Sequence, residues 1–130
     1  MIPLLLLPIP ALLYALFLGA TTWWSDQAWI GSLLLVLTVV SMAVTPLLVG
    51  LLSRPGWRRA AAWPVGALAP ALPAGHVAWS VADAFNPAGT PPERAIEAGL
   101  ELGLPCAAIG LAITALGVGI RMLFDRRRRR

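Results

Sequence analysis

The sequence predicts an all-α integral membrane protein, a four-helix bundle with both termini in the cytoplasm. Three observations carry this. Of 130 residues, 58% are hydrophobic and only 12% are charged, about half the charged share of a soluble domain. Four stretches lack charged side chains: Met1–Ser25, Gln27–Ser53, Ala60–Ala82 (which contains His76) and Leu102–Ile120. A spanning helix needs about 20 mostly apolar residues, because lipid offers the backbone no hydrogen-bond partner. The ten basic residues are all arginines, and they are unevenly placed. Four crossings put both ends and the second loop on one side, with Arg54, Arg58, Arg59, Arg121, Arg126, Arg127, Arg128, Arg129 and Arg130. Arg94 alone falls on the other, with Asp26, Asp83, Glu93, Glu97 and Glu101. The positive-inside rule then places the arginine-rich side in the cytoplasm.

The helices are expected at about residues 3–23, 30–52, 61–82 and 101–123, followed by a basic tail at 125–130. The first is leucine-rich but holds Pro3, Pro8 and Pro10, so its opening turns are expected to be irregular, with regular helix from near Pro10. It lacks the basic n-region and the A-x-A site of a signal peptide and is expected to be retained. The second, IGSLLLVLTVVSMAVTPLLVGLL, is the clearest span. The third is alanine-rich and carries Pro64, Pro70 and Pro73. Each interior proline removes a helix hydrogen bond and favours a kink, so a re-entrant course is the alternative to a full crossing.

Ser53-Arg54-Pro55-Gly56 signals the turn before the third helix. The longest link contains Asn86-Pro87-Ala88-Gly89 and leads to Thr90-Pro91-Pro92-Glu93, which has capping-box spacing. Helix is expected to start there, with Glu93, Glu97 and Glu101 on one face and Arg94 beside Glu97 at i+3. This short amphipathic stretch would feed the fourth span, with Pro105 at its entry to lipid. A solvated helix end is the plain reading, and an acidic mouth for cations the other. Trp23, Trp24, Trp29 and Trp79 fall near the outer boundary, and Trp57 and Trp63 near the inner one, the levels that amphipathic rings prefer.

Small residues mark packing faces. Gly103, Gly110 and Gly117 recur at heptad spacing, with Ala107 and Thr114 between them and Arg121 continuing the line. Gly99 and Gly103 make a GxxxG step. The second helix has a matching stripe of Gly31, Thr38 and Thr45, with Ser41 adjacent. In lipid, close backbone contact through such residues drives helices together. Whether the partner helix belongs to this chain or another is not set by the spacing.

Polar groups inside a membrane are costly and are functional candidates. His76, Ser80 and Asp83 share a face of the third helix and are the candidate polar path. A histidine can relay protons, whereas one histidine makes a poor zinc site, which wants three or four ligands. Cys106 is the single thiol, too few for a disulfide or a cysteine-rich metal centre. No GxSxG, HExxH or phosphate-loop pattern occurs, and one histidine without a buried carboxylate pair argues against acid–base catalysis. The expectation is therefore no enzyme, no catalytic residue, no cofactor and no metal.

One stretch resembles a known family. Gly31 to Pro46, ending LTVVSMAVTPL at Leu47, is similar to the helix ending in "TP-L" of ferric-reductase-like heme-binding transmembrane subunits. In that family an arginine pair follows and then a helix with a heme-ligating histidine. Here Arg58-Arg59 and His76 occur in that order, so the resemblance, over about residues 31–76, implies His76 as a heme ligand. The family's opposing histidine has no counterpart in this chain, and His76 lies farther from the arginines than in the family pattern.

The expected role is an accessory or assembly subunit of a membrane complex. An oligomeric small transporter, channel or holin-like pore is one alternative, and a heme-binding redox subunit the other. Expected partners are the bilayer, a second copy or another membrane protein. Arg54, Arg58, Arg59 and Arg126 to Arg130 are expected to anchor to anionic lipid heads. Nucleic acid is not an expected partner, since no aromatic residue interleaves the arginine run. The arginine-only basic set and high alanine content point to a GC-rich bacterial genome, hence a bacterial inner membrane.

Overall fold

The computed structural model describes residues 2–23, 26–86, 88–89 and 91–130. It is all-helical among the described residues: α1 (Ile2–Leu6), α2 (Pro8–Trp23), α3 (Ala28–Leu52), α4 (Trp57–Ala84) and α5 (Pro92–Arg128). Among them, four helices are long and apolar enough to cross a membrane: Leu4–Trp23, Ala28–Leu52, Trp57–Ala84 and Pro92–Arg128.

The break at Leu7 has a covalent cause. Pro8 and Pro10 lack the N–H groups that would bond to Leu4 and Leu6, and a proline disfavours helical geometry in the residue before it. Helix nevertheless resumes at Pro8, earlier than the proline pattern suggests, and a five-residue turn of helix precedes it. Leu6 and Leu7 pack on the cluster of Val49, Ala62 and Val65 and close that end of the bundle.

Prolines do not interrupt the other helices. α4 is one helix of 28 residues through Pro64, Pro70 and Pro73, long enough for a full crossing. α5 is one helix of 37 residues through Pro105, about 55 Å long at 1.5 Å per residue. The amphipathic stretch before the fourth span is thus continuous with it, and the helix runs through most of the basic tail to Arg128. Pro92 is its first residue and Pro91 its N-cap, without a side-chain cap bond; Thr90, the expected cap, lies outside the described residues, as do Trp24 and Pro87.

α5 packs mainly on α4 and also on α3, while α2 packs on α3 and α4; among the described residues α2 and α5 do not touch. The four long helices therefore form a rhombus with α3 and α4 across its short diagonal. The buried residues are mostly small: Ala20, Val49, Ala62, Val65, Ala69, Ala74 and Val118, with Thr38, Thr45, Ser53 and Thr114. Large apolar side chains point outward, among them Leu12, Val36, Ile109 and Leu116. This arrangement suits lipid, where association depends on close backbone approach rather than on hiding leucine from water.

Candidate functional site

The glycines of α5 find their partners inside the chain. A Cβ at Gly103 would lie 3.6 Å from the Ala71 carbonyl and 3.9 Å from the Gly75 Cα. At Gly110 it would run into the Gly66 carbonyl and come within 2.7 Å of Pro70 Cγ. Pro70 has no N–H to offer that carbonyl, so proline and glycine together shape the closest approach of α4 and α5. At Gly117 a Cβ would lie 2.6 Å from the Leu47 carbonyl and 3.0 Å from the Gly50 Cα on α3. Thr114 sits between the two crossings, with its side chain against Gly66 and its carbonyl against Gly50. One stripe on α5 thus serves two neighbours. On α3, Thr38 and Thr45 are buried, while a Cβ at Gly31 would be 3.8 Å from Thr21 Cγ2 of α2, an ordinary contact.

The buried hydroxyls satisfy themselves within their own helices. Thr38 donates to the Leu34 carbonyl at 2.8 Å, Thr114 to Gly110 at 2.8 Å and Ser53 to Gly50 at 2.7 Å. This local bonding is the usual outlet for a hydroxyl in an apolar interior, and it leaves these groups no spare hydrogen to line a pathway.

The titratable candidate lies elsewhere. His76 projects from α4 toward α2 and is exposed at the side of the bundle. Its Nδ1 is 3.1 Å from the Tyr14 hydroxyl and 3.3 Å from the Ser80 hydroxyl. The Tyr14 ring meets the imidazole edge-on, with centroids 5.4 Å apart, and Trp79 flanks it at 5.3 Å. Nε2 makes no hydrogen bond among the described residues. Asp83, two turns further, is exposed on the same helix. The structure therefore brings His76 and Ser80 together at the bundle's outer surface, not along an internal channel.

Cys106 lies apart from His76. It lines an apolar groove of about 220 Å³ with Val39, Met42, Ala43, Pro70, Ile109 and Ile113. No group of three or more His, Cys, Asp or Glu side chains suited to a metal occurs among the described residues. A heme gripped by two imidazoles would need a second chain, since this one has a single histidine.

At the charged ends one ion pair forms among the described residues. Arg94 and Glu97 form no ion pair within 4.0 Å among the described residues, and both are exposed. Water competes well for such a pair, whose net contribution is only about 0.2–0.5 kcal/mol. Instead Arg121 Nε pairs with Asp125 Oδ2 at 3.4 Å. The tryptophans Trp23, Trp29 and Trp79 at one end, and Trp57 and Trp63 at the other, are all exposed. Arg58 stacks 5.8 Å above the Trp57 ring.

Sequence reasoning missed four participants. Tyr14, the only tyrosine, was legible as the one phenol in an apolar run. Gly50, Gly66 and Gly75 were legible only as glycines, because nothing local says which glycine faces which. These features define a multi-pass, all-helical protein of the membrane class. Comparison with protein families, curated proteins and solved structures returns no match.

Proposed function

We propose that this chain is a small, non-enzymatic subunit of a bacterial inner-membrane assembly. Both termini lie on the cytoplasmic side, and the α2–α4 flank packs against a partner membrane protein or a second copy. The exposed His76 carries this reading. It lies eight residues before Ala84, the end of α4, which is about 12 Å into the span. Ionisable groups at such depth almost always face protein or a water-filled cavity rather than lipid. His76 faces outward, and Nε2 has no partner among the described residues, so a covering neighbour would supply one. The self-satisfied interior agrees with a scaffold rather than a monomeric channel. The orientation rests on the arginine asymmetry.

The test is a photo-reactive residue at Leu72, one turn from His76 and exposed on α4, with Ile109 on α5 as the control. An adduct of defined mass from position 72 in native membranes, diminished by His76→Leu and absent from position 109, supports the proposal. A monomer by light scattering with no adduct from position 72 overturns it.

The second reading, an oligomeric transporter or channel, is favoured by His76, Ser80 and Asp83 sharing that outward flank. A path would then form only between copies. Proton or ion flux in liposomes, abolished by His76→Ala or Asp83→Asn, is its test.

A further inference from the structure

The register of α4 against α5 sets two arginines at one level of the bundle. Gly66 meets Thr114 across the interface. One helical turn toward the arginine-rich end, Ala62 and Val118 occupy the same level, both buried. Seven residues from the Gly66–Thr114 contact on each helix stand Arg59 and Arg121. Heptad spacing places Arg59 on the stripe of Gly66 and Arg121 on the stripe of Thr114. Both Nε atoms are shut off from solvent without a hydrogen-bond partner. Arg121 has the ion pair to Asp125. Arg58 is turned onto Trp57, whereas no hydrogen bond, ion pair or ring contact engages the Arg59 guanidinium among the described residues.

Two like charges at one level of the bundle, each with its Nε shut off from solvent, favour an anion near them. Asp125 is the only acid at this end of the chain, so the chain itself provides too little negative charge. The level is set by exposed Trp57 and Trp63, rings that settle at the headgroup zone. Planar guanidinium forks match phosphate oxygens. We propose that Arg59 and Arg121 form a site for the phosphodiester of an anionic membrane lipid, seated between the ends of α4 and α5. The site depends on the chain being embedded in a bilayer. It is independent of which leaflet this end faces and of any protein partner.

The experiment is native mass spectrometry of the full chain from detergent micelles, titrated with phosphatidylglycerol, phosphatidylcholine or inorganic phosphate. Phosphatidylglycerol is expected to bind in preference to phosphatidylcholine. Arg59→Gln and Arg121→Gln should each weaken it about fivefold, whereas Arg129→Gln and Arg130→Gln, in the outer anchor, should weaken it less. Asp125→Asn removes the competing acid and should tighten binding. That variant decides the question should the arginine variants fail to fold, since unchanged or weaker binding there overturns the proposal. So do equal binding of the two lipids, equal losses in Arg59→Gln and Arg130→Gln, or displacement of the lipid by an equal concentration of inorganic phosphate, which would mark a site for free anions.

Discussion

Gly110→Ala tests the packing at its tightest point. The added methyl would collide with the Gly66 carbonyl and lie 2.7 Å from Pro70 Cγ. Carbon atoms in ordinary contact stand about 3.5–4.0 Å apart, so α4 and α5 must separate by about 1 Å, which forfeits about a quarter to a half of each dispersion contact at that crossing. Overpacking of this kind costs about 1–3 kcal/mol. Alanine's better helix propensity returns about 1 kcal/mol, leaving a net loss of about 0–2 kcal/mol. Gly119→Ala is the matched control, since no atom lies within 4 Å of a Cβ there, and it should be neutral or slightly stabilising. Unfolding with SDS in mild-detergent micelles, followed by tryptophan fluorescence, reads both. A Gly110→Ala midpoint equal to or above that of Gly119→Ala would refute the argument that α5 packs through its glycines.

Three further outcomes are expected. Tyr14→Phe removes the hydroxyl 3.1 Å from His76 Nδ1 and should destabilise the protein by about 0.6 kcal/mol, the average for such bonds in membranes, in the same unfolding assay. Gly56 holds φ 100° and ψ −154° before α4, a region essentially reserved for glycine; Gly56→Ala should cost about 1–3 kcal/mol although open space surrounds it. The purified protein should be colourless, and a Soret band lost in His76→Ala would instead establish the heme reading.

The long-range plan of the fold was legible because lipid imposes a coarse rule. Charge-free runs near 20 residues must be helices, and the runs Gln27–Ser53 and Leu102–Ile120 correspond to α3 and the centre of α5. Details set by tertiary contact were less legible. Prolines at 64, 70, 73 and 105 were read as weak points, yet α4 and α5 continue through them; Pro70 and Pro73 are covered by neighbouring helices, whereas Pro64 and Pro105 are exposed. The stripe of Gly103, Gly110 and Gly117 could be seen, but not that it divides between α4 and α3. His76 and Ser80 were grouped by helical spacing alone. Their third companion, Tyr14, lies 62 residues away in sequence, beyond any local signal.

The absence of contact between α2 and α5 among the described residues suggests an order of disassembly for the bundle. The backbone-to-backbone crossings tie α5 to α3 and α4, whereas Gly31 and Thr21 meet at an ordinary distance. α2 can part from the bundle without breaking any of those crossings; it is held by the Tyr14–His76 bond and by the burial of Pro10 and Ala20. It is the stave of this barrel expected to open first, below the free energy of global unfolding. Opening it bares the flank of α3 and α4, so an incoming helix could take its place while the remaining three stay locked.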